Sequence, residues 1–253
     1  MPTPIPATRI LFSFLVALLV LGGPAMGQRA DPDAMVAAVD AAEQHYAASF
    51  VGRSQLYNGP EYIDYARKYH AQVGHQFFSA PERQAGTVFY NGVRFGTVLL
   101  NYDVVLDQVV VKAPNSPLTL RLVNEKVRYF TLGDHFFTRL LADSSAGKVI
   151  RTGYYEVLLD GPVQVAARRV KHVREQIVQL NIDVLFEPAD KLFLRQAGTY
   201  HAVGSKGAVL RLFSDHGKEV QSYVKAQKLS FKKVLFESSV VQLTQYYASL
   251  LPR

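Results

Sequence analysis

The chain has 253 residues, 49% of them hydrophobic, with 28 Lys and Arg against 21 Asp and Glu and no cysteine. This composition is globular, and the missing cysteine excludes disulfide staples, thiol catalysis and a lipoprotein anchor. The charge is uneven: residues 205–253 hold eight Lys or Arg against three Asp or Glu, so the basic character belongs to the C-terminal segment.

Residues 1–27 have the layout of a secretory signal peptide. Arg9 supplies the positive start, Ile10 to Leu21 the apolar block, and Gly22, Gly23 and Pro24 the break, with Ala25 and Gly27 as small residues before a cut at Gln28. The apolar block is shorter than the roughly 20 residues that a membrane span requires. Export is therefore expected, to the periplasm, the outer-membrane periphery or the exterior. With no disulfides, the fold must then rest on its own core.

Residues 28–85 read as a helical segment with loops. Asp31-Pro32-Asp33 is a helix start, followed by Met35, Val36, Val39, Ala42 and Tyr46 at helical spacing. Asn58-Gly59-Pro60 marks a turn, and Tyr62, Tyr65 and Tyr69 then fall on one face of a short helix. Packing is the simpler use of those three rings.

From Gly86 to Gly204 the period drops to two, the signature of strands. Thr87 to Tyr90, Asn91-Gly92 and Val93 to Phe95 read as a tight hairpin, because Asn-Gly accepts the positive φ that a two-residue turn demands. Val98 to Tyr102, Val104-Val105, Val109 to Val111, Leu118 to Leu122, Val127 to Thr131, Tyr154 to Leu159, Val163 to Val170, Val184 to Phe186 and Leu192 to Leu194 continue the pattern to Tyr200-His201. With no helices between them, the expectation is a curved antiparallel β-meander, barrel-like or half open. Residues 205–253 return to helical spacing, with Ser205 and Asp215 as caps and a last helix through Val240, Leu243, Tyr246 and Leu250. The class is β-rich α+β, with the C-terminal helices and an N-terminal helix packed on the sheet.

Chemistry-bearing motifs are sparse. There is no Gly-x-Ser-x-Gly elbow, no phosphate loop and no dinucleotide fingerprint. His70, His75, Asp134 and His135 could supply zinc ligands, yet their spacing lacks the helical two-histidine geometry. Asp103, Asp107, Glu156 and Asp160 could pair as hydrolytic carboxylates. Turn duties for Asp107 and Asp160, and a water-facing strand position for Glu156, are the structural alternatives. No catalytic, cofactor or metal residue is assigned.

Gly92 to Phe95 leading into Leu100-Asn101-Tyr102-Asp103-Val104, Gly153 to Leu158, and Leu212-Phe213 through Tyr223-Val224-Lys225 resemble a group of exported, β-rich Bacteroidota proteins without assigned activity. The resemblance implies an envelope location and carries over no site residue.

These readings together give a non-enzymatic cell-envelope binding or structural protein, with a lipid or other apolar ligand on the concave sheet. One alternative is a docking module in which the basic C-terminal helices meet an acidic envelope protein or an anionic membrane surface. Its contact candidates are Arg168, Arg169, Lys171, Lys225, Lys228, Lys232 and Lys233. A solvated charged edge is the bland account of the same residues, and export argues against nucleic acid as a partner. A hydrolase on a β scaffold, near Glu156 and Asp103, is the remaining alternative.

Overall fold

The computed structural model describes residues 55–114, 116–142 and 149–252. The expected signal peptide and the helix beginning at Asp31 lie outside the described residues.

Thirteen strands are described: β1 (Gln72–Val73), β2 (Gln84–Tyr90), β3 (Val93–Asp103), β4 (Gln108–Lys112), β5 (Thr119–Arg121), β6 (Val127–Leu132), β7 (His135–Leu140), β8 (Gly153–Leu159), β9 (Val163–Arg168), β10 (Lys171–Val178), β11 (Asn181–Pro188), β12 (Lys191–Gln196) and β13 (Thr199–Val203). Three helices follow, α1 (Lys206–Leu212), α2 (Gly217–Ala226) and α3 (Phe236–Leu250). Ten strands form one antiparallel sheet in the order β13-β12-β9-β8-β7-β6-β2-β3-β4-β5. This is two meanders joined where β6 pairs with β2, and not the single consecutive ribbon that the even strand spacing suggests.

The sheet is curved but open. Tyr102 on β3 meets Phe137 on β7 and Tyr154 on β8 with ring centroids 5.2 and 5.8 Å apart, although β2, β6 and β7 separate β3 from β8 in the sheet. Side chains, not a backbone ladder, bridge the curl. Asp107 completes the bridge: its carboxylate accepts from the Tyr102 hydroxyl at 2.6 Å and from the Tyr154 amide at 3.3 Å. A Cβ on Gly153 would sit 2.2 Å from that carboxylate, so only glycine permits the approach.

The concave face is packed. Val88, Tyr90, Leu100, Phe130, Leu132 and Phe137 are fully or almost fully buried there, and Phe130 stacks on Phe137 at 4.8 Å. A second core joins Val165, Ala167 and Leu194 of β9 and β12 to Val209, Phe213, Val220, Leu243 and Tyr247 of the helices. Ser205 caps α1 as expected, accepting from the Ala208 amide. Asp215 does not cap α2. Its carboxylate instead accepts from the Tyr247 hydroxyl of α3 at 2.8 Å.

Three further expectations are corrected. Val104 and Val105 form a turn, because the Asp103 carboxylate takes the amides of Val105 and Leu106, each at 2.9 Å. Only Tyr65–Lys68 is helical in the tyrosine segment, as a 3-10 turn capped by Asp64. Tyr62 lies in extended chain, since Glu61 bridges Leu120 at the edge of β5. Finally, the predicted strand through Val170 ends at Arg168. The chain leaves the main sheet there, and β10 and β11 form a separate three-stranded sheet with β1.

Candidate docking surface

The basic run splits into residues used inside the molecule and residues left outside. Arg169 lies where the chain departs from β9, and its guanidinium meets Glu156 at 2.5 Å, Asp190 at 2.8 Å and Glu237 of α3 at 2.7 Å. Burial opposes its charge, but the bonds to Glu237 and Glu156 outweigh that effect and raise its pKa above the ordinary value. Lys171 donates to the carbonyls of His75 and Phe77 at 2.7 and 2.6 Å, and burial lowers its pKa. Arg168 approaches Asp107 at 3.7 Å. These three cations fasten β9 and β10 to neighbouring segments, so they are positioned as internal ties.

Lys225, Lys228, Lys232 and Lys233 are all exposed. The local fold explains why. α2 ends in a Schellman motif, in which Leu229 N donates to Val224 O at 3.0 Å and Lys228 N to Lys225 O at 3.2 Å. Lys228 takes the left-handed position at φ 51°, which turns the chain away from the helix. Phe231 folds back toward Phe236, with ring centroids 6.1 Å apart, and the stretch between them remains outside. That stretch carries Lys232 and Lys233, then Val234 at 91% exposure and Leu235 at 50%.

Beside this loop lies an open cleft of about 740 Å³. Its apolar lining includes Phe193 of β12, Val203 of β13, Phe231 and Phe236, and Arg151, Lys191 and Lys233 supply positive charge. Among the described residues the single acidic lining residue, Asp190, is held by Arg169 and the Val170 amide. Lys206 lies 5.7 Å from the Phe231 ring centre and adds a further cation. The surface thus pairs apolar side chains with positive charge, a combination suited to an anionic amphiphilic partner.

The carboxylate and histidine candidates take other roles. Glu156 is 3% exposed, not water-facing, because both faces of β8 are covered. It accepts from Arg169 and meets His135 Nδ1 at 2.5 Å. Asp103 accepts from the Tyr62 and Tyr65 hydroxyls as well as its two turn amides, and burial raises its pKa. Neither carboxylate lines this cleft or the one bordered by Tyr62, Phe77 and Leu118. Asp160 serves its turn as expected, accepting from the Gly161 amide. His70 meets Asp183, Asp134 is exposed, and the buried Nδ1 of His75 has no hydrogen-bond partner. Among the described residues no three His, Asp or Glu side chains gather into a metal site.

Sequence reasoning missed Arg151, Lys191, Val234 and Leu235 as parts of this surface. The first two are remote in the chain. Val234 and Leu235 precede the helix face read from Val240 onward, and no sequence signal marks them as exposed. No family model, no curated protein and no solved structure matches this chain.

Proposed function

We propose that this is a non-enzymatic docking protein of the cell envelope, which settles on an anionic membrane surface through Lys225, Lys228, Lys232, Lys233 and the Val234-Leu235 loop. The observation that carries the reading is the loop itself: two adjoining lysines followed by two exposed aliphatic side chains, next to a cation-lined cleft with phenyl groups in its wall. An amphipathic surface of this kind gains both from anionic head groups and from shallow apolar burial. The signal-like leader and the resemblance to exported envelope proteins agree with that destination. An apolar cargo on the concave sheet has less support, because aromatic and aliphatic side chains fill that face. Among the described residues no helix is long and apolar enough to cross a membrane.

The test is cosedimentation with vesicles of phosphatidylcholine containing phosphatidylglycerol. Each lysine near such a surface contributes about 1 kcal/mol, so Lys225→Glu, Lys228→Glu, Lys232→Glu and Lys233→Glu combined should weaken binding at least roughly 100-fold. Raising the salt concentration should act in the same direction. Binding that ignores both charge reversal and salt rejects the reading, and capture of an acidic protein with no vesicle binding replaces the membrane by that partner.

A further inference from the structure

The ribbon formed by β10 and β11 has an apolar end that nothing in the described structure covers. Cross-strand pairing places Val173, Glu175 and Ile177 of β10 with Phe186, Val184 and Ile182 of β11 on one face, apolar except for Glu175. Near the base, Ala66 of the 3-10 turn and Tyr69 just after it cover Val184 and Phe186. The same stripe then continues beyond its cover to Ile177, 82% exposed, and Ile182, 48% exposed. Val178 is exposed on the opposite face, and Leu180 is 98% exposed at the apex.

Charge changes at the same height along the ribbon. Gln176 to Ile182 is a run without a charged side chain. Below it, each ribbon carboxylate has a basic neighbour: Glu175 with Lys68 at 3.5 Å, Asp183 with the His70 imidazole at 3.3 Å and, further down, Glu187 with Arg174 at 2.8 Å. The uncharged end therefore sits above a collar of carboxylates with basic neighbours. Its two fully uncharged pairs, Ile177 with Ile182 and Val178 with Asn181, extend roughly 7 Å at about 3.3 Å per residue.

Backbone geometry sets this end apart as well. Gln179 and Leu180 occupy the two central turn positions at φ 49° and 71°, where Gly and Asn are the favoured residues. A large aliphatic side chain is thus held outward in a strained conformation, a pattern that points to use and not to folding.

We infer that the end of the β10–β11 ribbon is a membrane-inserting tip whose partner is the head-group and acyl-chain boundary of a phospholipid bilayer. Apolar groups on both faces and at the apex suit a medium that surrounds the tip, whereas a second copy of the chain would cover one side. The uncharged height matches the 5–10 Å depth of interfacial insertion. Lys68 and Arg174 offset the charges of Glu175 and Glu187, which an anionic surface would repel. The choice of a lipid partner rests on the docking reading, but the tip is a different part of the molecule and adds a contact that needs no positive charge.

The chain has no tryptophan, so Leu180→Trp and, separately, Val234→Trp each provide a single fluorescent reporter. Both variants are purified after export and mixed with vesicles of phosphatidylcholine and phosphatidylglycerol, with and without bromine on the acyl chains. The tip inference expects Leu180→Trp emission to shift to the blue and to be quenched by the brominated chains. Leu180→Asp should weaken vesicle affinity roughly tenfold or more. A response at Val234→Trp alone overturns the tip and leaves the docking reading standing. A response at Leu180→Trp alone supports the tip and overturns the basic loop, and no response at either position overturns both. A blue shift at Leu180→Trp that grows with protein concentration in the absence of lipid assigns the tip to a second copy and overturns the lipid partner.

Discussion

The β2–β3 hairpin turns through Asn91-Gly92 and the β10–β11 ribbon through Gln179-Leu180, in both cases with two consecutive residues at positive φ. In the first, the turn residues suit their conformation and the adjoining Tyr90 is fully buried. In the second, neither turn residue suits it, and the adjoining Val178 is exposed. One hairpin satisfies local propensity and burial together, and the other violates both at the same place. A stable core elsewhere in the molecule is what permits the second to persist, since an isolated two-stranded ribbon is marginal by itself. On the proposed reading, the contrast is between a hairpin kept for packing and one kept for contact.

Truncation beside each turn should produce the largest difference. Tyr90→Ala should cost about 3–5 kcal/mol through the cavity it opens, whereas Val178→Ala should stay within about 0.5 kcal/mol. Urea denaturation of the two variants measures this directly, and equal losses would erase the distinction.

Turn chemistry comes next. Gly92→Val places a β-branched residue at φ 84° and should destabilise by roughly 1–2 kcal/mol. Leu180→Gly relieves the same kind of strain and should raise stability by about 0.5–1 kcal/mol, after the entropic cost of glycine. It should also weaken vesicle binding. A variant that gains stability and loses attachment shows that Leu180 is retained for the contact; a loss of stability with unchanged attachment shows the reverse.

The smallest effect lies in pH dependence. Burial raises the Asp103 pKa above its ordinary 3.8, so its contribution to folding is most favourable below that pH and is lost as pH rises through the folded value. Asp103→Asn should therefore remove a stability component that declines with rising pH. Glu175 on the ribbon has the opposite sign: the Tyr69 hydroxyl, aided by Lys68, lowers its pKa, so acidification weakens its contribution. Chemical denaturation across the acid range should show Asp103→Asn gaining on the parent as pH rises, and parallel curves would contradict the assignment.

Much of the architecture was legible in the sequence because period-two patterning is strong wherever one face of a strand packs. Thr87 to Phe95 around Asn91-Gly92 is the clearest instance, and the returns to helical spacing after Ser205 are another. The order of the strands was not legible, since β5 and β6 are consecutive in the chain and only the pairing of β6 with β2 joins the meanders. Glu156 was misread for a related reason: alternation assumes one wet face, and β8 has none. The C-terminal lysines were legible as charge, but Arg169 and Lys171 resemble them in sequence and end in internal contacts. Which cation stays outside depends on carboxylates and carbonyls that lie up to 96 residues away in the chain, as Lys171 and His75 do.

Surface attachment is the proposed purpose of two exposed apolar elements, the Val234-Leu235 loop and the end of the β10–β11 ribbon. Amide hydrogen exchange, compared with and without anionic vesicles, tests this most directly. Protection should be gained at Lys225–Phe236 and at Gln176–Ile182, while the strands of the concave face stay unchanged. Protection gained on the concave-face strands instead, or no change anywhere under low-salt conditions, would contradict it.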